Sequence, residues 1–355
     1  MRKSLFLILL VVFLITILTD IHQINAQAKP EVKPIELTFN TPLPPVHTRW
    51  SQALAIWCKE LEKRTGGRVK VTPYFSETLS PLKDCYDSVV KGMADFGESW
   101  FGSKPGQFPI LETILSCNSP HILMKNPTKA IMELYKTFPA IREELKQTKV
   151  LCLHGGTPLT NVATTKRVVK TLSDLKGLKL NITRNSLVME KWKALGASVV
   201  NLAMGDVYMG LQRGVIDGTH ANYEILIGRR WGELVKHATF VLNDGYPTFF
   251  FVMNLDKWNK LPPDIQKIID EISGDYLTEF FGNYWWNKEQ ASKQQWEKDM
   301  GGRSYSLSKE ELEQVNKLVN PIIEEYVSKM EAKGIRLREI YKKLHEIEKT
   351  LAVSF

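Results

Sequence analysis

Residues 35–97 read IELTFNTPLPPVHTRWSQALAIWCKELEKRTGGRVKVTPYFSETLSPLKDCYDSVVKGMADFG, and their pattern sets the fold class. Ile35, Leu37 and Phe39 alternate as a strand does, and the proline-rich loop from Thr41 to Pro45 stops it. Trp50, Ala53, Leu54, Trp57, Cys58 and Leu61 then recur at three- and four-residue steps on one helical face, closed by Gly66 and Gly67. Val69 and Val71 mark a second strand. Ser80 as N-cap with Pro81 at the first helical position predicts a second helix to about Lys91, ended by Gly92, and residues 94–97 form a third strand. A β-α-β-α-β order with short connections calls for a mostly parallel sheet covered on both faces.

Working outward, the same alternation restarts near Lys149 and continues through strands at residues 179–182 and 198–202 and around 218–221, which makes a second α/β lobe. Thr248–Asn254 is a continuous apolar strand. Leu261-Pro262-Pro263 opens a long helix carrying Ile265, Ile268, Ile269, Ile272 and Tyr276 on one side, with a bend expected near Gly274 or Gly282 because glycine weakens a helix interior. Ser308 with Glu311 forms a capping-box pattern for a further helix, kinked at Asn320-Pro321, and a terminal helix follows Gly334. At the other end, Arg2 and Lys3 precede an apolar run and the small residues Ala26 and Ala28, which reads as a secretory signal cleaved near Ala28. The run of about 14 apolar residues falls short of the roughly 20 that span a bilayer. The expected division is residues 1–28 signal peptide, 29–158 first part of lobe I, 159–246 first part of lobe II, 247–286 second part of lobe I with a hinge strand and the long helix, and 287–355 completion of lobe II with the C-terminal helices.

The formal charge of +8 comes from Lys and Arg interleaved with acids along helices, a solvated pattern with no nucleic-acid motif in it. Cys58, Cys85, Cys117 and Cys152 fall at apolar positions, where small buried hydrophobes and a single structural disulfide are both open readings. There is no GxSxG elbow, Walker-type loop, GxGxxG, HExxH, EF-hand loop or CxxC, and the histidines are scattered without metal-ligand spacing. The expectation is therefore a protein without a catalytic constellation, cofactor or metal.

Six phrases, in order, carry a family resemblance: KRTGGRVKV at 63–71, VKGMADFG at 90–97, LSDLKGLKL at 172–180, ALGA at 194–197, VYMGLQRGVIDG at 207–218 and WNKLPPDIQK at 258–267. Over nearly the whole chain beyond residue 35 this resembles the DctP-like solute receptors of tripartite ATP-independent periplasmic (TRAP) transporters. The resemblance implies a periplasmic-binding-protein type II-like fold, two α/β lobes with a ligand cleft and a long helix touching both. It implies a periplasmic location, a small organic solute, and a permease of small and large membrane subunits as partner. A sensory solute receptor and an exported enzyme on a similar scaffold are the alternatives.

In open α/β sheets ligands sit outside the carboxyl ends of strands, so the post-strand loops are where a site belongs. They offer His47, Trp50, Glu98, Trp100, Asn161, Asn181, Arg184, Met204, His220 and Asn222 as candidate ligand-binding residues. Acid-binding members of the resembling family carry an Arg directly after the Gly-Leu-Lys phrase and another about twenty residues earlier. Here those places hold Asn181 and, nearby, Asn161. Either Arg184 replaces the missing charge, or the solute is a polar one read by amides and aromatic rings. With asparagines at these places, simple C4-dicarboxylates are expected to bind poorly.

Overall fold

The structure is a computed structural model that describes residues 33–120, 122–182 and 185–353. The signal-peptide reading and the candidate Arg184 lie outside the described residues. In chain order the main strands are β1 (Ile35–Asn40), β2 (Val69–Tyr74), β3 (Phe96–Trp100), β4 (Thr148–Gly155), β5 (Val162–Thr164), β6 (Lys179–Asn181), β7 (Ser198–Val200), β8 (Gly218–His220), β9 (His237–Phe240), β10 (Thr248–Asn254) and β11 (Arg303–Ser306). They form two sheets, ordered β2-β1-β3-β10-β4 and β11-β9-β5-β8-β6-β7, and so define two α/β lobes.

The first sheet follows from the pattern at residues 35–97. Leu37 and Phe39 point inward from β1, which pairs in parallel with β2 and β3. Helix α1 (Ala55–Arg64) is entered through a π-helical turn at Trp50–Leu54, and it lays Trp57 edge-on against Phe96 and Phe251. Such edge-to-face contacts between ring quadrupoles contribute about 1 kcal/mol beyond area burial. The indole N–H of Trp57 donates to the carbonyl of Ile272 at 2.9 Å, so the largest apolar side chain of α1 is also hydrogen-bonded.

Two sequence expectations need correction. The first sheet is mixed, because β10 runs antiparallel to both β3 and β4 and returns the chain from the second lobe to the centre of the first. All seven residues of β10 are buried, as a central strand covered on both faces requires. The second correction concerns Ser80, which does not cap a helix. Its hydroxyl accepts from Asn40 Nδ2 at 2.7 Å, and α2 begins only at Cys85 (Cys85–Val90) after a 3-10 turn.

Helix α3 (Ser186–Ala194) covers the second sheet, and α4 (Tyr223–Gly228) follows β8. The expected long helix breaks at Gly274, where φ is +53°, into α5 (Pro263–Glu271) and α6 (Asp275–Met300), and α6 runs unbroken through Gly282. At 26 residues α6 is about 39 Å long, enough to touch both lobes. Trp285 meets the first sheet through Phe249, whereas Glu289 and Trp296 bond to the second lobe. Helices α7 (Lys309–Ala332), continuous through Pro321, and α8 (Leu337–Leu351) complete the C-terminal part. Among the described residues no helix is long and apolar enough to cross a membrane. The four cysteines are buried and unpaired.

Candidate functional site

A cavity of about 220 Å³ opens between the lobes at the ends of their strands. From the first lobe the loop after β1 supplies Pro42, Leu43, His47 and Arg49, the end of β3 supplies Ser99 and Trp100, and Phe249 and Trp285 close the floor. The second lobe supplies Pro158, Asn181, Met204, and the run from His220 through Asn222 to Glu224 and Arg229. The apolar share is large and the charged groups few, which is the composition of a small-molecule pocket.

Among the described residues that line this cavity, Arg49 is the buried cation, 8% exposed. Its guanidinium lies over the Phe249 ring, 4.3 Å from the centroid, and its Nε is 3.1 Å from Glu98 Oε1. The two atoms are not aligned as a hydrogen bond, so the pairing is Coulombic. Glu98 is fully buried behind the cavity wall, with His154 Nε2 3.3 Å away on its other side. Burial pushes the Glu98 carboxyl upward, but Arg49 and His154 outweigh it and hold the group below the usual carboxylate range. His154 accepts at Nδ1 from the indole N–H of Trp285 at 3.1 Å, which leaves its proton on Nε2 facing Glu98. Burial keeps that imidazole neutral by lowering its pKa. The resulting chain runs from Trp285 through His154 and Glu98 to Arg49.

The opposite wall is held by second-lobe contacts. His220 Nε2 lies 2.7 Å from Asp244, a buried carboxylate that also accepts from Trp192 Nε1 at 2.6 Å. Asn222 donates from Nδ2 to Glu289 at 2.5 Å, and Glu289 accepts from the backbone N–H groups of Tyr223 and Glu224 as well. Complete burial pushes Glu289 up to about 8. Burial also raises the Glu224 carboxyl, which lies 3.7 Å from His47 Nε2. His47 is lowered to about 3 by burial and by Arg49, and its Nδ1 accepts from the Arg49 backbone N–H, so it is a neutral ring. Asn181 accepts from the backbone N–H of Leu202 at 2.7 Å.

Of the ten sequence-selected residues, the structure brings His47, Trp100, Asn181, Met204, His220 and Asn222 to the cavity. Three lie elsewhere. Trp50 is packed edge-on against Phe39 and Phe75 in the core. Glu98 acts from behind Arg49. Asn161 is fully buried, donates to Leu242 O and accepts from Val241 N–H at 3.0 Å, splicing the backbone next to β9. Sequence reasoning missed Arg49, Glu224, Arg229, Phe249 and Trp285. Arg49 sat inside a selected loop, but nothing local distinguishes it from a solvated charge. Among the described residues no cluster of His, Cys, Asp and Glu could hold a metal ion.

A family model described as bacterial extracellular solute-binding protein, family 7, matches residues 39–330. A curated solute-binding protein of Verminephrobacter eiseniae is 28% identical over 226 residues, covering 61% of this chain. The chain spans only 64% of that relative's length. Among solved structures, a marine metagenome TRAP solute-binding protein specific for aromatic acids, in complex with 3-hydroxybenzoate, superposes with a TM-score of 0.81 at 24% identity, covering 90% of this chain and 99% of that one. A TRAP solute-binding protein of Rhodoferax ferrireducens with copurified benzoate gives 0.80 at 24% identity, over 89% and 98%.

Proposed function

As the chain belongs to the bacterial extracellular solute-binding proteins of family 7, we propose that it is a periplasmic receptor that closes its two lobes on a small ring-bearing monocarboxylate and passes it to a TRAP-type permease of small and large membrane subunits. The observation that carries the ligand class is the cavity wall, where Trp100, Phe249 and Trp285 share the lining with Arg49, the one buried arginine there among the described residues. Aromatic walls suit a ring, and one buried cation suits one carboxylate. A C4-dicarboxylate needs two separated charge sites. Where the resembling acid binders carry arginines this chain has Asn181 and, near the second place, Asn161, and Asn161 is consumed by backbone bonds. Similar folds hold benzoate and hydroxybenzoate, so the scaffold accommodates such ligands in other proteins.

A thermal-shift screen of the full mature chain against organic acids tests this. A ligand at about 100 times its Kd stabilises by about 2.7 kcal/mol, a shift of several degrees. Aromatic and alicyclic monocarboxylates are expected to reach it, while succinate and malate give little. A large shift with succinate would refute the ligand class.

A further inference from the structure

We infer that Arg49 is the carboxylate anchor of the cleft, its guanidinium locked from behind so that the two terminal nitrogens are left for the solute. The inference rests on the ring-acid reading above and assigns that ligand's charged end to a residue of the first lobe.

Three contacts fix the guanidinium. Glu98 takes the Nε edge at 3.1 Å, and the face lies on Phe249. Trp285 is a second ring, with its centroid 5.9 Å from the guanidinium carbon. Glu98 is in turn set by His154, and His154 by the Trp285 indole. No described residue accepts a hydrogen bond from the Arg49 terminal nitrogens, although Arg49 is nine-tenths buried and lines the cavity. A planar fork with one edge held and the other unengaged is the geometry that takes a carboxylate through two parallel hydrogen bonds. Closing an anion into a dry cleft without such a partner would be costly. Among the described residues the other cleft arginine, Arg229, is exposed, so water screens it. His47 is not a competitor, because the Arg49 backbone N–H occupies its Nδ1. Trp100, half-buried at the cavity, offers the solute ring a surface.

The test uses paired acids and primary amides of one shape: benzoate and benzamide, phenylacetate and phenylacetamide, mandelate and mandelamide, cyclohexanecarboxylate and its amide. Affinities are measured by titration calorimetry at pH 7 on the full mature chain. Acids are expected to bind at least about 10-fold more tightly than their amides, a ratio set by charge-assisted hydrogen bonds. Arg49→Lys keeps the charge but loses the fork, and should weaken the best acid roughly 10- to 100-fold while leaving its amide within about 3-fold. Because Arg49→Lys can disturb the pairing with Glu98, the double variant Arg49→Gln/Glu98→Gln, which leaves no unpaired buried charge, is measured beside it and should lose the acid preference. Undiminished acid binding by both variants overturns the anchor and leaves the ring-acid reading standing. Equal binding of acids and amides by the wild type overturns the anchor and the acid class together. If no compound of the panel binds, the ring-acid reading fails and the inference with it.

Discussion

Replacing Glu98 by Gln removes the counter-charge from Arg49 without changing the shape of the wall, and its cost follows from the geometry. The charged atoms stand 3.1 Å apart with side-chain exposures of 9% and 0%, so solvent screening is slight. At an effective dielectric of about 20 the Coulomb energy of unit charges at this distance is about 5 kcal/mol, and deleting one partner of a buried pair typically costs about 3–5 kcal/mol. For a chain of this size that corresponds to a fall of roughly 5–10 °C in the thermal midpoint. The double variant Arg49→Gln/Glu98→Gln removes both charges and should recover most of the loss, because the penalty comes from a buried charge left alone. The pH dependence has a definite sign. Glu98 is held below its unfolded range, so its contribution is complete above a pH of about 4.5 and is lost as pH falls through the folded value. The gap between wild type and Glu98→Gln should therefore be widest at neutral pH and close on acidification. Scanning calorimetry at pH 7 and at steps down to about pH 2 measures it. A gap at pH 7 below about 1 kcal/mol, or a double variant no more stable than the single, would refute the pairing.

Glu289 should have the opposite sign. Its folded value of about 8 lies above its unfolded one, so the folded state holds the extra proton between roughly pH 4.5 and 8 and stability falls as pH rises through that window, by at most about 5 kcal/mol. The wild-type midpoint should fall relative to that of Glu289→Gln between pH 5 and 9, and parallel profiles would contradict this. Asn161→Ala should cost about 2–4 kcal/mol in urea unfolding, since it strands the buried Val241 N–H and Leu242 carbonyl, while solute affinity stays within about 3-fold of wild type. A selective loss of affinity would return Asn161 to the ligand.

What the sequence showed of the fold was what local periodicity can encode. The alternation of Leu37 and Phe39, the Trp57 face of α1, the Gly66-Gly67 stop and the break at Gly274 are each decided by neighbours a few residues away. The antiparallel insertion of β10 between β3 and β4 is not of that kind. Its five consecutive apolar residues, Phe249 to Met253, say only that it is buried on both faces, and its partners are fixed by the return of the chain from the second lobe. Ser80 shows the same limit. It has a capping residue's chemistry, but Asn40, distant in sequence, claims its hydroxyl.

The site divides the same way, and the division explains why Arg49 escaped notice. The strand-end rule selected loops from which six candidates reach the cavity. Within a loop, however, a residue's role depends on what stands behind it. Trp50 and Arg49 are adjacent, yet Trp50 turns into the core against Phe39, while Arg49 is drawn to Glu98 on β3 and flattened on Phe249 of β10. These partners lie on β1, β3 and β10, and β10 joins the sheet only where the chain returns from the second lobe. The strand whose pairing was least legible therefore supplies the ring on which the cleft's buried charge rests. With the charge at 49 and an amide at 181, the solute's charged end is assigned to the first lobe. Asn181, His220 and Asn222 line the second-lobe side of the same cavity, which on that proposal faces its remainder.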